Sequence, residues 1–232
     1  MFHANALNAA VLNLTRDQRR VIYQCQLQIN SKGWPENGVF TFTRQKYAAD
    51  YGVGEDEAGR DLKKAINGFR GKFILLEQRI DELDASGELE IDWTTSRWKC
   101  DEKGVYALKL NVDLKPLFTP AAADLLFTIT QFDDARKLSS KWSQLLYDLL
   151  CQFRESGWCK VRLDDLRIRW NTPPSYDKWA LFRSRILEPS IDELKRTSEF
   201  KNISYELGYE GQAVSTLLFH FDSTRKMLKD MK

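Results

Sequence analysis

The sequence predicts an α+β fold of two tandem winged-helix domains, each a helix-turn-helix followed by a β-hairpin and related by a pseudo-repeat. Three observations support this prediction: a cation-bearing amphipathic pattern over residues 175–197, a similar pattern over residues 55–69, and a set of residues that recurs at one fixed spacing. We expect the domains to span residues 1–120 and 121–232.

The fixed spacing relates the two halves of the chain. Three residues of the first half recur in the second, each displaced by 124 positions, namely Tyr23, Gly33 and Trp34 as Tyr147, Gly157 and Trp158. The order of predicted elements also repeats as helix, strand, helix, helix and hairpin. Both basic helices therefore occupy the second position of a helix-turn-helix pair, which is the position that reads DNA in such motifs.

Local signals place the elements of the first half. Thr15 is the expected N-cap of a helix that ends at Gly33, and a helix over residues 44–51 ends at Gly52. Residues 40–42 alternate as a strand, and we interpret residues 73–76 and 105–112 as the two strands of one long β-hairpin. Between them, residues 77–92 hold seven acids and one base, a composition typical of a solvated loop held away from phosphate.

The second half repeats this order after Pro116 and Pro120. We expect a helix over residues 139–155, a strand over 160–163, a short helix over 164–170, the helix after Ser175, and strands over 202–207 and 214–221.

The helix after Ser175 combines a buried stripe with exposed cations. Its stripe recurs at three- and four-residue steps and comprises Trp179, Phe182, Ile186, Ser190 and Leu194. Lys178, Arg183 and Arg185 crowd its first half, where positive charge opposes the helix dipole and a polyanion is a suitable partner. A solvated amphipathic helix is the alternative. Pro189 supplies no N–H, so we expect a bend there.

The helix over residues 55–69 has the same design. Its apolar stripe comprises Ala58, Leu62, Ala65, Ile66 and Phe69. At 100° per residue, the opposite side carries Arg60, Lys63, Lys64 and Asn67.

Composition excludes several classes of protein. No apolar run reaches about 18 residues, so no membrane span is predicted. Asn5, Asn8 and Asn13 interrupt the N-terminal apolar stretch, so no signal peptide is predicted and a cytoplasmic location is expected. Four cysteines without a CxxC spacing and two histidines make a zinc site improbable. The formal net charge of +2 requires any DNA-binding cations to be concentrated locally.

Catalytic motifs are missing from the sequence. It has no glycine-rich phosphate loop, no GxSxG elbow and no HExxH helix. The adjacent acids Asp133-Asp134 and Asp164-Asp165 point about 100° apart on a helix and suit capping better than metal binding. We therefore expect a protein that is not an enzyme and has no cofactor, either a DNA-binding protein or a scaffold for another protein.

Six short motifs carry a resemblance to a known family. They are Leu14-Thr15-Arg16-Asp17-Gln18-Arg19-Arg20 leading to Tyr23, Lys46-Tyr47-Ala48 with Tyr51-Gly52-Val53, Phe69-Arg70-Gly71-Lys72, Gly104-Val105-Tyr106, Leu146-Tyr147-Asp148-Leu149-Leu150, and Phe182-Arg183-Ser184-Arg185-Ile186-Leu187-Glu188-Pro189. Over nearly its whole length the chain resembles the iteron-binding replication initiators of bacterial plasmids, the Rep proteins with two winged-helix domains typified by the F-plasmid initiator.

The resemblance implies that both recognition helices enter successive major grooves of a duplex iteron, with the tighter grip in the C-terminal domain. By position, the C-terminal contacts would be Lys178, Arg183, Ser184 and Arg185, and the N-terminal ones Arg60 and Arg16. Two departures are visible. Ser184 stands where a third arginine is expected, and the second hairpin turn, residues 208–212, carries no cation for a phosphate.

The resemblance also implies partners. Similar proteins bind an operator inverted repeat as homodimers and repress their own gene, which contributes to plasmid copy control. As monomers they open the origin with host DnaA and the replicative helicase, after DnaK-type chaperones convert dimer to monomer. For this chain we expect the N-terminal domain to carry the dimer contact, through its hairpin or Leu7, Val11 and Leu12. A transcriptional repressor without a replication role and a winged-helix protein-interaction scaffold are the alternatives.

Overall fold

The structure is a computed structural model that describes residues 2–4, 14–80, 85–119, 127–129 and 131–223. The chain divides into two compact units, unit 1 over residues 1–128 and unit 2 over residues 129–232. The predicted boundary between residues 120 and 121 lies outside the described residues, as do Leu7, Val11 and Leu12.

Unit 1 contains a helical pair and two hairpins. Its elements are β1 (Phe2–Ala4), α1 (Arg16–Lys32), β2 (Val39–Thr43), α2 (Arg44–Tyr51), α3 (Glu55–Gly68), β3 (Phe73–Ile80), β4 (Ala85–Asp92), β5 (Thr94–Cys100), β6 (Val105–Leu110), a 3₁₀ turn (Val112–Leu114), α4 (Lys115–Phe118) and β7 (Phe127–Ile129). Strands β2, β6 and β5 form one antiparallel sheet in that order, so the β5–β6 hairpin is the wing that follows the helix-turn-helix pair α2–α3.

The predicted single long hairpin of unit 1 is wrong, because the structure has two. β3 pairs with β4 from Phe73↔Asp92 to Ile80↔Ala85, and β5 pairs separately with β6. The acidic stretch is therefore largely strand rather than loop. Around Leu89 and Ile91 the acids alternate with apolar residues, and Ile91 is buried while Glu90 is exposed. This alternation is typical of a strand with one solvated face.

Unit 2 contains the second helical pair and a single hairpin. Its elements are α5 (Phe132–Ala135), α6 (Lys141–Gln152), β8 (Trp158–Arg162), α7 (Leu163–Arg169), a 3₁₀ turn (Pro174–Tyr176), α8 (Trp179–Phe182), a π-helical segment (Arg183–Leu187), α9 (Glu188–Thr197), β9 (Phe200–Glu210) and β10 (Ala213–Ser223). α8, the π segment and α9 are consecutive, and we call them together the 179–197 helix. The sheet order is β8, β10, β9, and β9–β10 is the wing.

The local signals that define these elements match in the two units. The side chain of Thr15 accepts a hydrogen bond from the Gln18 amide at 3.3 Å and so caps α1, and Ser140 caps α6 through the Ser143 amide at 3.0 Å. Gly33, which ends α1, and Gly157, which precedes β8, both adopt positive φ, a region that suits glycine. The predicted order of elements is confirmed in both halves, with β3–β4 as an additional hairpin in the first.

Each unit has its own core. In unit 1 the core residues that are fully or almost fully buried include Val21, Phe40, Phe42, Tyr47, Leu62, Ile66, Leu108 and Phe118. In unit 2 they include Leu146, Tyr147, Leu150, Phe182, Leu194, Phe200 and Phe219. The core rests on α1 in unit 1 and on α6 in unit 2, and in both units on the buried stripe of the second helix of the helix-turn-helix pair.

Among the described residues, no helix combines the length and apolar character needed to cross a membrane. Over the same part of the chain, no cluster of three or more His, Cys, Asp or Glu side chains is arranged to hold a metal ion.

Candidate nucleic-acid interface

The 179–197 helix packs along the predicted stripe. Phe182, Ile186, Ser190 and Leu194 are buried and Trp179 is half-buried, as the spacing predicted. The ring of Phe182 stacks between Trp170 and Trp179, with centroid distances of 6.1 and 6.2 Å. These aromatic contacts fix the start of the helix against the unit, so the opposite face is presented to solvent in one orientation.

Pro189 changes the helix just before it. Residues Arg183–Leu187 are π-helical, and the Glu188 amide donates to the Arg183 carbonyl, five residues back. Pro189 has no N–H to continue the α-helical pattern, which is the physical reason to expect an irregularity here. The helix is therefore irregular just before Pro189, where it contains a π segment, and the bend expected at this point stays a prediction.

The π segment places Arg183 beside an acid. Its Nε donates to Oε1 of Glu188 at 2.6 Å, and the Tyr205 hydroxyl, from the wing strand β9, donates to the same oxygen at 3.4 Å. The hydrogen bond to Glu188 is the main cause that raises the pKa of Arg183, and burial is the main cause that raises the pKa of Tyr205. About half of the Arg183 side chain, 51%, stays exposed.

The other predicted contacts of this helix are unengaged. Lys178, Ser184 and Arg185 are exposed, and within the described part of the chain none of the three makes a side-chain hydrogen bond or ion pair. Leu181 lies on the same face and is 41% exposed. This face therefore offers two free cations, a hydroxyl and an apolar side chain that a partner could bury.

Two residues at this surface were missed by the sequence analysis. Leu181 falls outside the apolar stripe, and that departure is the signal that could have identified it. Arg167 of α7 donates through Nη2 to the carbonyl of Asp177 and through Nη1 to the Asp164 carboxylate at 3.2 Å, and it lies over the Phe182 ring. It thereby holds the residue that precedes Lys178, and no sequence pattern indicates this contact.

The tip of the second wing has no basic residue. Its turn contains Gly211 at positive φ, and Tyr209 beside it is 59% exposed. Arg162 of β8 lies 3.8 Å from the Glu210 carboxylate, so this cation near the turn is paired with an acid. These contacts agree with the expectation that this wing lacks a cation for a phosphate.

In unit 1 the predicted basic face of α3 is exposed. Arg60, Lys63, Lys64 and Asn67 all lie at the surface, whereas Leu62 and the rest of its stripe are buried. Among the described residues, Arg60 and Lys64 make no side-chain hydrogen bond or ion pair. They are the unit 1 counterparts of the free cations in unit 2.

The other two residues of this face hold the wing. Lys63 Nζ lies 2.5 Å from an Asp101 carboxylate oxygen, and Lys99 Nζ lies 2.5 Å from the Asn67 side-chain oxygen. The hydrogen bond from Lys63 is the main cause that lowers the pKa of Asp101, and Tyr106 adds a second hydrogen bond to its carboxylate. The β5–β6 wing is therefore braced on the exposed face of α3.

Arg16 occupies a different environment. At the start of α1 it lies 2.7 Å from the Asp17 carboxylate and 3.3 Å from that of Asp61 in α3, and its side chain is 34% exposed. Partial burial opposes the charge, but these two acids outweigh it and raise the pKa of Arg16. The structure thus engages Arg16 in joining α1 to α3 and does not bring it into the group of unpaired cations.

Unit 2 also contains a buried ion pair. Arg154 donates to Glu199 at 2.5 Å, and their side chains are 12% and 1% exposed. The Glu199 amide donates to the Asp134 carboxylate, which also accepts from the Tyr147 hydroxyl. This cluster joins α5, α6 and the start of β9 beneath the surface.

Two protein-family models match most of the chain. A family model described as "Initiator Replication protein, WH1" matches residues 1–151, and a second, "Initiator Rep protein, WH2", matches residues 162–221. The two models together cover both helix-turn-helix pairs and both wings.

Individual relatives agree with this assignment. The chain is 24% identical to the PI protein of Escherichia coli over 247 residues, covering 94% of this chain and 81% of that protein. A crystal structure of the Pi initiator protein in complex with iteron DNA superimposes with a TM-score of 0.80 at 22% identity, over 97% of this chain and 98% of that one. A structure of domains 2 and 3 of RctB has a TM-score of 0.53 at 9% identity, over 90% and 81% of the two chains. At these identities the superpositions establish the fold.

Proposed function

Because this chain belongs to the family of initiator replication proteins, we propose that it binds the iterons of a plasmid origin as double-stranded DNA and starts replication there. One observation carries the proposal: α3 and the 179–197 helix each bury one face and expose arginine and lysine on the other. The similar Pi initiator protein has been crystallised with iteron DNA, which supports duplex DNA as the ligand.

The contacts we propose divide between the units. In unit 2, the base and phosphate contacts are Lys178, Arg183, Ser184 and Arg185. In unit 1, they are Arg60, Lys63, Lys64 and Asn67, with Arg16 at the start of α1. Arginine can bond guanine O6 and N7 together, while lysine serves as a point charge for phosphate. We assign the main DNA-binding role to unit 2 because the family resemblance implies the tighter grip there; among the described residues, no acid pairs with Lys178 or Arg185 in unit 2 or with Arg60 or Lys64 in unit 1.

Selection of duplexes from a randomised pool by the full chain tests the proposal. We expect one sequence to be enriched, and its affinity should fall as salt rises, because neutralised phosphates release counterions. A protein-interaction scaffold would enrich no duplex, and heparin would not compete for its partner. The absence of any enriched sequence would refute duplex recognition.

We also propose that the chain forms a homodimer through unit 1, binds an operator inverted repeat and represses its own gene, which contributes to copy control. The active initiator is then a monomer that works with host DnaA, the replicative helicase and DnaK-type chaperones in the cytoplasm. Family resemblance motivates these partners. Sedimentation of the full chain carrying Leu7→Asp and Val11→Asp should show weaker association. The matched change Ile168→Asp, at a 62% exposed position in unit 2, should have no effect.

A repressor without a replication role would use the same contacts. Supplying the protein to a host that carries its origin on a selectable plasmid separates the two functions. Maintenance of the plasmid only when the protein is supplied supports the initiator, and repression without maintenance supports the alternative. We further propose that the chain binds no cofactor and catalyses no reaction, so ATPase activity of the purified chain would contradict this part.

A further inference from the structure

We propose that Glu188, Tyr205 and Pro189 are positioning residues that hold Arg183 in one orientation for reading a guanine. The proposal rests on the proposed function, because it concerns how one of the DNA contacts is aimed. It goes beyond the list of contacts, since none of these three residues was assigned a role in binding. The carrying observation is the set of contacts that joins the 179–197 helix to its own wing at Glu188.

Helix geometry explains why this pair requires the π segment. In an α-helix, residues five apart are rotated by roughly 140° from one another and do not meet. A π turn closes a hydrogen bond between residues five apart, which brings their side chains to the same side. Arg183 and Glu188 are five apart and span the π segment, and the Glu188 amide donates to the Arg183 carbonyl. Pro189 favours this arrangement because it removes the next backbone donor.

The contacts leave part of the guanidinium available. Glu188 Oε1 takes the Nε hydrogen of Arg183 and the hydroxyl hydrogen of Tyr205. Tyr205 is itself fixed by Trp179 and Phe219, with ring centroids 6.4 and 6.2 Å away. An arginine held at Nε can still direct its two terminal nitrogens together at O6 and N7 of guanine. In the part of the chain that the structure describes, no side chain braces Arg185, two residues further on.

A carboxylate on a DNA-binding face repels phosphate, so Glu188 lowers affinity for every sequence. Ordering the Arg183 side chain has the opposite effect on the correct sequence alone, because less side-chain entropy is lost on binding. Glu188 therefore lowers the affinity for DNA in general and raises the specificity for the selected sequence. Repulsion by Glu188 weakens binding to every duplex, whereas ordering of Arg183 strengthens binding only to a duplex with the guanine that it reads. Measuring affinity for non-specific and for selected duplexes therefore separates the two effects.

The test uses the duplex that the full chain selects from a randomised pool. Each guanine is replaced in turn by 7-deazaguanine, which lacks the N7 acceptor. The wild type should lose affinity about tenfold at one or two positions. Arg183→Ala should lose this sensitivity at one of them, and Glu188→Gln, Tyr205→Phe and Pro189→Ala should reduce it severalfold. Glu188→Gln should also bind a scrambled duplex more tightly, by about the effect of one charge.

Asp192→Asn is the matched control. It removes one exposed carboxylate from the same helix without touching Arg183, so it should keep the full 7-deazaguanine pattern. Circular dichroism checks that each variant folds, and the conservative Tyr205→Phe keeps the test valid if Pro189→Ala does not fold.

Two results would overturn the proposal. Glu188→Gln with tighter binding to all duplexes and an unchanged 7-deazaguanine pattern would make Glu188 only a competing charge. Loss of preference at a cytosine in that variant would make Glu188 a base reader itself. Both outcomes are compatible with the proposed function. A pool without any enriched duplex would instead contradict the proposed function, while the contacts among Arg183, Glu188 and Tyr205 would be unaffected.

Discussion

One ion pair of unit 2 is buried more deeply than the Lys63 and Arg16 pairs of unit 1. In unit 1, Lys63–Asp101 lies on the exposed face of α3 and Arg16–Asp61 joins α1 to α3 at a partly exposed site. In unit 2, Arg154–Glu199 lies beneath the surface. On the exposed face of this unit Arg183 pairs with Glu188, and among the described residues Lys178 and Arg185 make no side-chain hydrogen bond or ion pair.

The exposed faces of α3 and of the 179–197 helix each combine paired and free cations. A cation that is paired on the surface must exchange an acid for a phosphate when DNA binds, and the net gain is small. A free cation gains the whole interaction. Among the described residues, both kinds occur in each unit: Arg60 and Lys64 are free in unit 1, as are Lys178 and Arg185 in unit 2. Lys63 is held by Asp101 of the wing turn, whereas Arg183 is held by Glu188 of its own helix.

The largest expected effect concerns the buried pair. Glu199→Ala leaves Arg154 charged in a nearly buried site, which should cost about 3–5 kcal/mol of unfolding free energy. Asp61→Ala in unit 1 breaks a partly exposed contact and should cost at most about 1 kcal/mol. Hydrogen exchange of the full chain, followed by peptide, measures both locally. Equal losses in protection would break the contrast between the units.

The next effect compares free arginines. Arg185→Ala should weaken binding to the selected duplex by about 1–3 kcal/mol and relax preference at one base pair. Arg60→Ala should also weaken binding and relax preference at one base pair, but the loss of affinity should be smaller, since we assign the tighter grip to unit 2. Titrations with cognate and scrambled duplexes over a salt series distinguish base from phosphate contacts. A larger loss for Arg60→Ala would reverse the assigned roles of the units.

Freeing a paired lysine should strengthen DNA binding rather than weaken it. Asp101→Asn removes the acid that holds Lys63, so binding to every duplex should tighten and the salt slope should steepen by about 1. The same titrations measure it, with Asp113→Asn as a control at an exposed site outside the wing. Weaker binding would mean that bracing the wing matters more to DNA binding than the freed charge.

The smallest effect concerns Leu181. If its exposed side chain covers a thymine methyl group, replacing that thymine by uracil should cost the wild type about 0.8 kcal/mol, the value for one buried methyl-sized group. Leu181→Ala should no longer respond to that replacement. A response of equal size in both proteins would place Leu181 away from the bases.

Much of the fold could be predicted because its signals are local. Each of these signals is specified within a few residues: the N-cap Thr15, the glycines that end α1 and α2, and the stripe beginning at Trp179. The β3–β4 hairpin was missed although its signal was present, because the acidity of Glu88 and Glu90 was weighed above their alternation with Leu89 and Ile91.

Helical periodicity along the chain is sufficient to predict which residues are exposed on α3 and on the 179–197 helix, because it separates a buried from a solvated face. Which of these exposed residues have a partner depends instead on the folded arrangement of helix and wing. Asp101 lies 38 positions from Lys63, and Tyr205 lies 17 positions from Glu188. Such contacts depend on how a wing folds back on its helix, and charge pairing at that range follows from the position of the backbone rather than from any pattern along the chain.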